Sequence, residues 1–129
     1  MGKMGDTPAR YLALDLNSLK FAWDIRTRIP QSSAVLTTAG GLVFSATPDG
    51  YFRAFDDRDG KVLWTSPRLN DIPNAFPITY MVDGKQYIAM PVGNPGDHGT
   101  SALFTAPELG AVRGAKSSVL WVWRLPSEK

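Results

Sequence analysis

Tyr11-Leu-Ala-Leu-Asp15 followed by Trp23, and Phe52-Arg-Ala-Phe-Asp56 followed by Trp64, are two copies of one pattern. In each, an Asp closes an apolar run and a Trp stands eight positions later; equivalent positions are forty-one residues apart. A period of this size, filled with strand-like runs, marks repeat architectures such as β-propeller blades. A blade cannot bury its own faces and leans on its neighbours for stability. A chain with room for two or three blades is therefore expected to be a piece of something larger.

The composition fits a turn-rich β-protein. In 129 residues there are twelve Gly and ten Pro, a heavy load for helices, and an apolar fraction of 43% argues against disorder. The net charge of +2 is small and no Lys/Arg cluster stands out, so a nucleic-acid binder is not expected. Without cysteine, disulfides, thiolate metal sites and Cys nucleophiles are excluded. No apolar run approaches the roughly 18–20 residues that span a bilayer. The start, Met1-Gly-Lys-Met-Gly-Asp-Thr-Pro8, has no apolar signal core, so as written the chain is expected to be cytoplasmic unless a longer parent carries a leader.

Outward from the two copies, short β-type runs recur: Tyr11–Asp15, Lys20–Ile25, Leu42–Thr47, Tyr51–Asp56, Lys61–Thr65, Ile78–Val82, Lys85–Pro91 and Ser118–Leu125. Asp49-Gly50, Asp59-Gly60 and Asp83-Gly84 fall between such runs, and Asp-Gly suits tight hairpins because Gly takes positive φ freely. The expectation is all-β, an antiparallel meander of blades. Residues 1–10 are read as an N-terminal extension, 11–126 as the partial propeller, 93–117 as a long loop within it, and 127–129 as a tail. Gly40-Gly41 is read as a turn, because a strand follows it and a phosphate loop needs a helix there.

Candidates for chemistry are few. Asp56, Asp57 and Asp59 before Gly60 resemble a calcium loop, but an EF-hand register would put Phe55 first and Ser66 twelfth, neither usable as required. They are read as a strand end and a turn. His98 is the only histidine, with Asp97 beside it and Ser101 nearby, and no second His or Cys completes a zinc site. A hydrolase built on these three lacks a Gly-x-Ser-x-Gly elbow. Trp23, Trp64, Trp121 and Trp123 are read as wedges between packed sheets rather than ligand platforms, since large aromatics dominate core packing.

Three stretches resemble the C-terminal repeats of quinoprotein alcohol dehydrogenases: Thr37-Thr-Ala-Gly-Gly-Leu-Val-Phe44, Asp49-Gly-Tyr-Phe-Arg-Ala-Phe-Asp56 and Gly60-Lys-Val-Leu-Trp64. Pro77-Ile-Thr-Tyr80 and Asp83-Gly-Lys-Gln-Tyr-Ile-Ala89 continue the match in order. The segment ending Asp56 to Trp64 is similar to the family's tryptophan docking motif, A-x-D-x-x-T-G-K-x-x-W, with Asp59 in place of Thr. The copy from Ala13 to Trp23 has Leu19 where the motif has Gly.

The resemblance implies two to three blades of an eight-bladed propeller of four-stranded antiparallel blades. It implies pyrroloquinoline quinone (PQQ) near the axis of the complete parent, with calcium or a lanthanide beside it. The parent would be a periplasmic alcohol dehydrogenase passing electrons to a cytochrome or quinone. The family's adjacent cysteine pair has no counterpart, and its metal-binding Glu and Asn and its catalytic Asp belong to earlier blades. Where members carry a Trp before the T-A-G-G run, this sequence has Gln31-Ser-Ser33. No catalytic, cofactor-binding or metal residue is therefore assigned; Tyr51 and the Gly93-Asn94 loop are expected near the axis without being ligands. The expected partners are the remaining blades, or other copies of the chain if it is a non-catalytic scaffold that closes its ring by self-association.

Overall fold

The computed structural model describes residues 9–31, 33–93 and 118–126. They hold nine strands: β1 (Ala9–Asp15), β2 (Lys20–Thr27), β3 (Val35–Thr38), β4 (Leu42–Thr47), β5 (Tyr51–Asp56), β6 (Val62–Thr65), β7 (Ile78–Val82), β8 (Lys85–Val92) and β9 (Val119–Arg124). These form three antiparallel sheets: A (β1-β2), B (β3-β4-β5-β6) and C (β7-β8-β9).

The extension assigned to residues 1–10 is too long by two, since Ala9 and Arg10 already pair with Thr27 and Arg26 in sheet A. Arg10 is held there by its ion pair with Asp24 on the adjacent strand. Most of the expected loop at 93–117, with Asn94, Asp97, His98 and Ser101, lies outside the described residues, as does the tail at 127–129.

Sheets A and B share more than a sequence echo. The β1-β2 register slips between Ala13 and Leu14, and the β5-β6 register slips between Ala54 and Phe55, at equivalent positions. In the turns that follow, Leu19 N–H donates to the Asp15 carbonyl at 2.8 Å and Gly60 N–H to the Asp56 carbonyl at 2.9 Å. Both residues lie in the left-handed region, with φ of 56° and 72°. Gly takes that conformation freely, whereas a leucine is strained by about 1–2 kcal/mol. Leu19 is 73% exposed, so its side chain contributes little packing. Leu19→Gly is therefore expected to raise stability by about 0.5–1 kcal/mol, the relief of strain being partly offset by the freer unfolded chain. Urea unfolding of the two forms measures this, and an unchanged or lower midpoint would contradict it.

The Asp83-Gly84 pair forms a two-residue hairpin between β7 and β8, both residues at positive φ (49° and 71°), as a type I′ turn requires. Gly41, at φ 74°, closes the turn between β3 and β4. The core lies between sheets B and C, where Phe44, Phe52, Ile88 and Met90 are each no more than 1% exposed. The irregular connection over residues 66–77 adds Leu69 to that core and buries Ile72. It is tied to sheet B by Leu69 N–H to the Gly50 carbonyl (2.8 Å) and Ser66 N–H to the Phe52 carbonyl (2.8 Å).

Candidate functional site

The chemistry-bearing side chains gather where the sheets meet. Alternation along β1 and β2 turns Tyr11, Ala13, Trp23 and Ile25 toward sheet B. The Tyr11 ring lies 6.1 Å from that of Phe55. The Trp23 indole N–H donates to the Asp57 carbonyl at 2.8 Å, and its ring covers Gly60 so closely that a Cβ there would stand 2.9 Å from Trp23 Cδ2. Asp57 N–H in turn donates to the Gly41 carbonyl at 3.0 Å. One indole thus reaches from sheet A to the β5–β6 turn of sheet B, and the Asp57 N–H links that turn to the one at Gly41.

Behind this contact lies a polar group. The Tyr11 hydroxyl is 3.2 Å from Ser45 Oγ, which is fully buried and also receives the Gln31 amide N–H. Burial raises the Tyr11 pKa above its ordinary value, and the Ser45 hydrogen bond offsets only part of that. Gln31 Oε1 is buried without a partner among the described residues. A pair of polar groups and a neutral phenol can position a side chain or a water, but none of the three is a base that would activate the Ser45 hydroxyl.

Two carboxylates of sheet B, Asp49 and Asp56, are committed to arginines. Burial opposes ionisation of Asp49, yet hydrogen bonds from Arg53 and Thr47 carry its carboxyl below the ordinary range. Arg53 grips it at 2.9 and 2.8 Å and also lies over the Tyr51 ring, 5.2 Å from its centroid. Asp56 accepts from Arg58 Nε (2.9 Å), Nη2 (2.6 Å) and backbone N–H (2.9 Å). The Arg58 guanidinium, then its N–H, bring the Asp56 pKa from 3.8 down to about 2. Asp59 caps the turn through Lys61 N–H at 2.9 Å. The strand-end and turn reading of these acids stands, and among the described residues no three His, Cys, Asp or Glu gather as a metal site would need.

A carboxylate whose pKa is depressed on folding stabilises the native state above its unfolded pKa and loses that contribution as pH falls through the folded value. Asp56 is therefore expected to make stability decline between about pH 4 and pH 2. In Arg58→Ala the decline should be shallower in that window, as urea midpoints measured across it would show.

Between sheets B and C the aromatic residues stack. Phe44 lies on Phe52 (5.9 Å), Phe52 on Trp123 (5.1 Å) and Trp121 on Trp123 (5.8 Å), while Trp64 meets Trp123 edge-on at 5.7 Å. Trp121 and Trp123 share a face, as their spacing of two implies, and Trp121 N–H donates to Asn70 Oδ1 at 2.9 Å. Beside Trp64 an apolar cleft of about 640 Å³ opens, lined by Leu42, Phe44, Ala54, Leu63, Val122 and Leu125 among others. The sequence showed Gln31 only as standing where family members carry a Trp; its pairing with Ser45 was not legible, because only folding brings residues fourteen apart onto one side of sheet B. Asn70, whose side chain meets Trp121 across fifty-one positions, was not legible either.

Comparison with known proteins agrees with this architecture. The PQQ family model described as "Glucose/ethanol/alcohol dehydrogenase, beta-propeller domain" matches residues 5–88. The quinoprotein ethanol dehydrogenase of Pseudomonas aeruginosa is 40% identical over 119 residues, which is 89% of this chain and 18% of that protein. Among solved structures, the quinohemoprotein alcohol dehydrogenase ADHIIG from Pseudomonas putida HK5 superposes with a TM-score of 0.73 at 28% identity, covering 88% of this chain and 16% of that one. A europium-containing methanol dehydrogenase superposes at 0.69 with 32% identity, covering 88% and 22%. The chain thus spans about a fifth or less of the relatives that it matches. With antiparallel sheets docked through aromatic side chains and a family match over more than half its length, the chain belongs to the PQQ-type β-propeller family of glucose, ethanol and alcohol dehydrogenases.

Proposed function

We propose that these residues form C-terminal blades of a PQQ-dependent alcohol dehydrogenase-like protein, with a structural role and no activity alone. The single observation behind this reading is the pairing of an intact inter-sheet framework with the absence of any acidic cluster among the described residues. Asp49 and Asp56 are held by Arg53 and Arg58, and among the described residues no three His, Cys, Asp or Glu gather into the oxygen-rich cluster that calcium or a lanthanide prefers. They do not fit the metal, and no step is routed through it. In the complete parent the reaction would be oxidation of an alcohol with transfer to PQQ, in the periplasm, with a cytochrome or quinone as electron acceptor. The docking of Trp23 on Gly60 supports the tryptophan-docking reading of the Asp–Trp motif.

The test is direct. The purified chain is given PQQ, calcium, an alcohol and an electron-accepting dye. No turnover is expected, and robust turnover would overturn the reading. Closure by self-association is less well supported by the charges at the two ends of the stack. The outer face of sheet A carries Arg10, Asp24 and Arg26, and that of sheet C carries Lys85 and Arg124, so apposing them brings four cations against one acid. Light scattering separates the two readings, since a discrete closed oligomer is expected only of the second.

A further inference from the structure

Asp-Gly occurs three times at turns between strands, and the fold treats the three pairs differently. At Asp49-Gly50 the glycine is buried, and its N–H donates to the Thr47 carbonyl at 3.0 Å. The Asp49 carboxylate is gripped by Arg53 at 2.9 and 2.8 Å and by the Thr47 hydroxyl. At Asp59-Gly60 the glycine is again buried, with its N–H on the Asp56 carbonyl at 2.9 Å. Asp59 Oδ1 there accepts from Lys61 N–H at 2.9 Å, and the Trp23 ring presses on the glycine from above.

Asp83-Gly84 has none of these restraints. Both residues are exposed, and a Cβ on Gly84 would meet nothing within 4 Å. The hairpin closes through the flanking pair, Val82 and Lys85, which leaves the Gly84 N–H outside the ladder. Among the described residues, neither that N–H nor the Asp83 carboxylate has a hydrogen-bond partner.

Two such groups, adjacent in the chain and unheld, can react with each other. The Gly84 nitrogen attacks Asp83 Cγ and gives up its proton; the protonated carboxyl loses its hydroxyl as water, and a five-membered imide closes. Water then opens the imide at either carbonyl. Opening at one restores aspartate. Opening at the other leaves isoaspartate, with the main chain routed through Cβ and Cγ. One water leaves and one returns, so solvent is the only co-reactant. Glycine favours the closure, because no side chain crowds the attacking nitrogen. Each hydrogen bond that must first be given up slows the step by roughly two- to tenfold, and a charge-assisted one by more.

We propose that Asp83 is a site of spontaneous modification, converting to isoaspartate in the folded chain while Asp49 and Asp59 are protected. The product carries an extra backbone carbon in a two-residue turn that has no room for it, so the pairing of Val82 with Lys85 loosens. Gln86 follows in β8, and its carbonyl accepts the Leu125 N–H at 2.9 Å, so the disturbance reaches the end of β9. The inference goes beyond the parent-enzyme reading and rests on the three turns alone, so its failure would leave the turnover test untouched.

The experiment incubates the purified full chain in mildly acidic buffer, which supplies the protonated carboxyl, beside a sample unfolded in guanidinium. Peptides carrying each Asp-Gly pair are then analysed by electron-transfer fragmentation, which tells isoaspartate from aspartate. In the folded chain, isoaspartate should build up at Asp83 at least about tenfold faster than at Asp49 or Asp59, the ratio set by the bonds that hold the other two. In guanidinium the three rates should converge. Build-up at Asp49 or Asp59 as fast as at Asp83 in the folded chain, or none at Asp83, would overturn the proposal. So would the same preference for Asp83 in guanidinium, which would assign it to local sequence and not to the fold.

Discussion

Phe52→Ala should lower the unfolding free energy by about 3–5 kcal/mol, the range for emptying a buried aromatic site. The Phe52 side chain is fully buried and stacks between Phe44 at 5.9 Å and Trp123 at 5.1 Å. Its loss opens a cavity at the junction of sheets B and C, and the rings on either side come from different sheets. Collapse onto the void would require sheet C to move as a body, so little of the loss can be recovered by relaxation. Guanidinium unfolding followed by tryptophan fluorescence reads the change, since Trp121 and Trp123 report on the same junction. A loss below about 1 kcal/mol would mean that sheets B and C are held together elsewhere, because even partial cavity terms exceed that.

The second large effect is expected at Gly60. Gly60→Ala combines two costs: a side chain at φ 72°, worth about 1–2 kcal/mol, and a Cβ at 2.9 Å from Trp23 Cδ2 and 3.1 Å from both Trp23 Cε3 and Ile25 Cδ1. The atoms in the way belong to a rigid ring whose N–H is tied to the Asp57 carbonyl, so the indole must leave its seat or the turn must open. A total of about 2–4 kcal/mol is expected when strain and overpacking are taken together. Gly84→Ala provides the internal control, for its φ is 71° and nothing lies within 4 Å of its Cβ position. It should cost only the backbone strain. The difference between the two substitutions isolates the packing of Trp23; equal losses would show that the indole yields freely.

This pair of glycines also shows where sequence reading reached its limit. Asp59-Gly60 and Asp83-Gly84 are the same dipeptide between strands, and both were legible as turns from the demand for positive φ. That one of them is also the floor under a tryptophan thirty-seven residues earlier depends on how two sheets approach, which no local pattern encodes. The strands with clean apolar runs, such as Leu42–Thr47 and Tyr51–Asp56, stand where the sequence placed them. β3 was missed because it is four residues long, half threonine, and begins with a Val35 that is 52% exposed at the sheet edge. The buried Leu69 and Ile72 were missed for a related reason, since a connection punctuated by Pro67, Pro73 and Pro77 has no periodicity to betray a buried side. The polar group of Tyr11, Gln31 and Ser45 was invisible because its members belong to three separate segments.

The docking of Trp23 is directional: its ring belongs to one sheet, and its seat to the sheet that comes next along the chain. On a ribosome, where the amino-terminal end emerges first, that seat appears thirty-seven residues after the ring. At about 5–20 residues per second, the indole and the apolar side of β1 and β2 stay uncovered for roughly 2–7 s. Each sheet in such a series is synthesised before the partner that completes it. A pause in translation between Trp23 and Gly60 would therefore lengthen the interval in which nascent chains can stick to one another, whereas a pause after Gly60 would not.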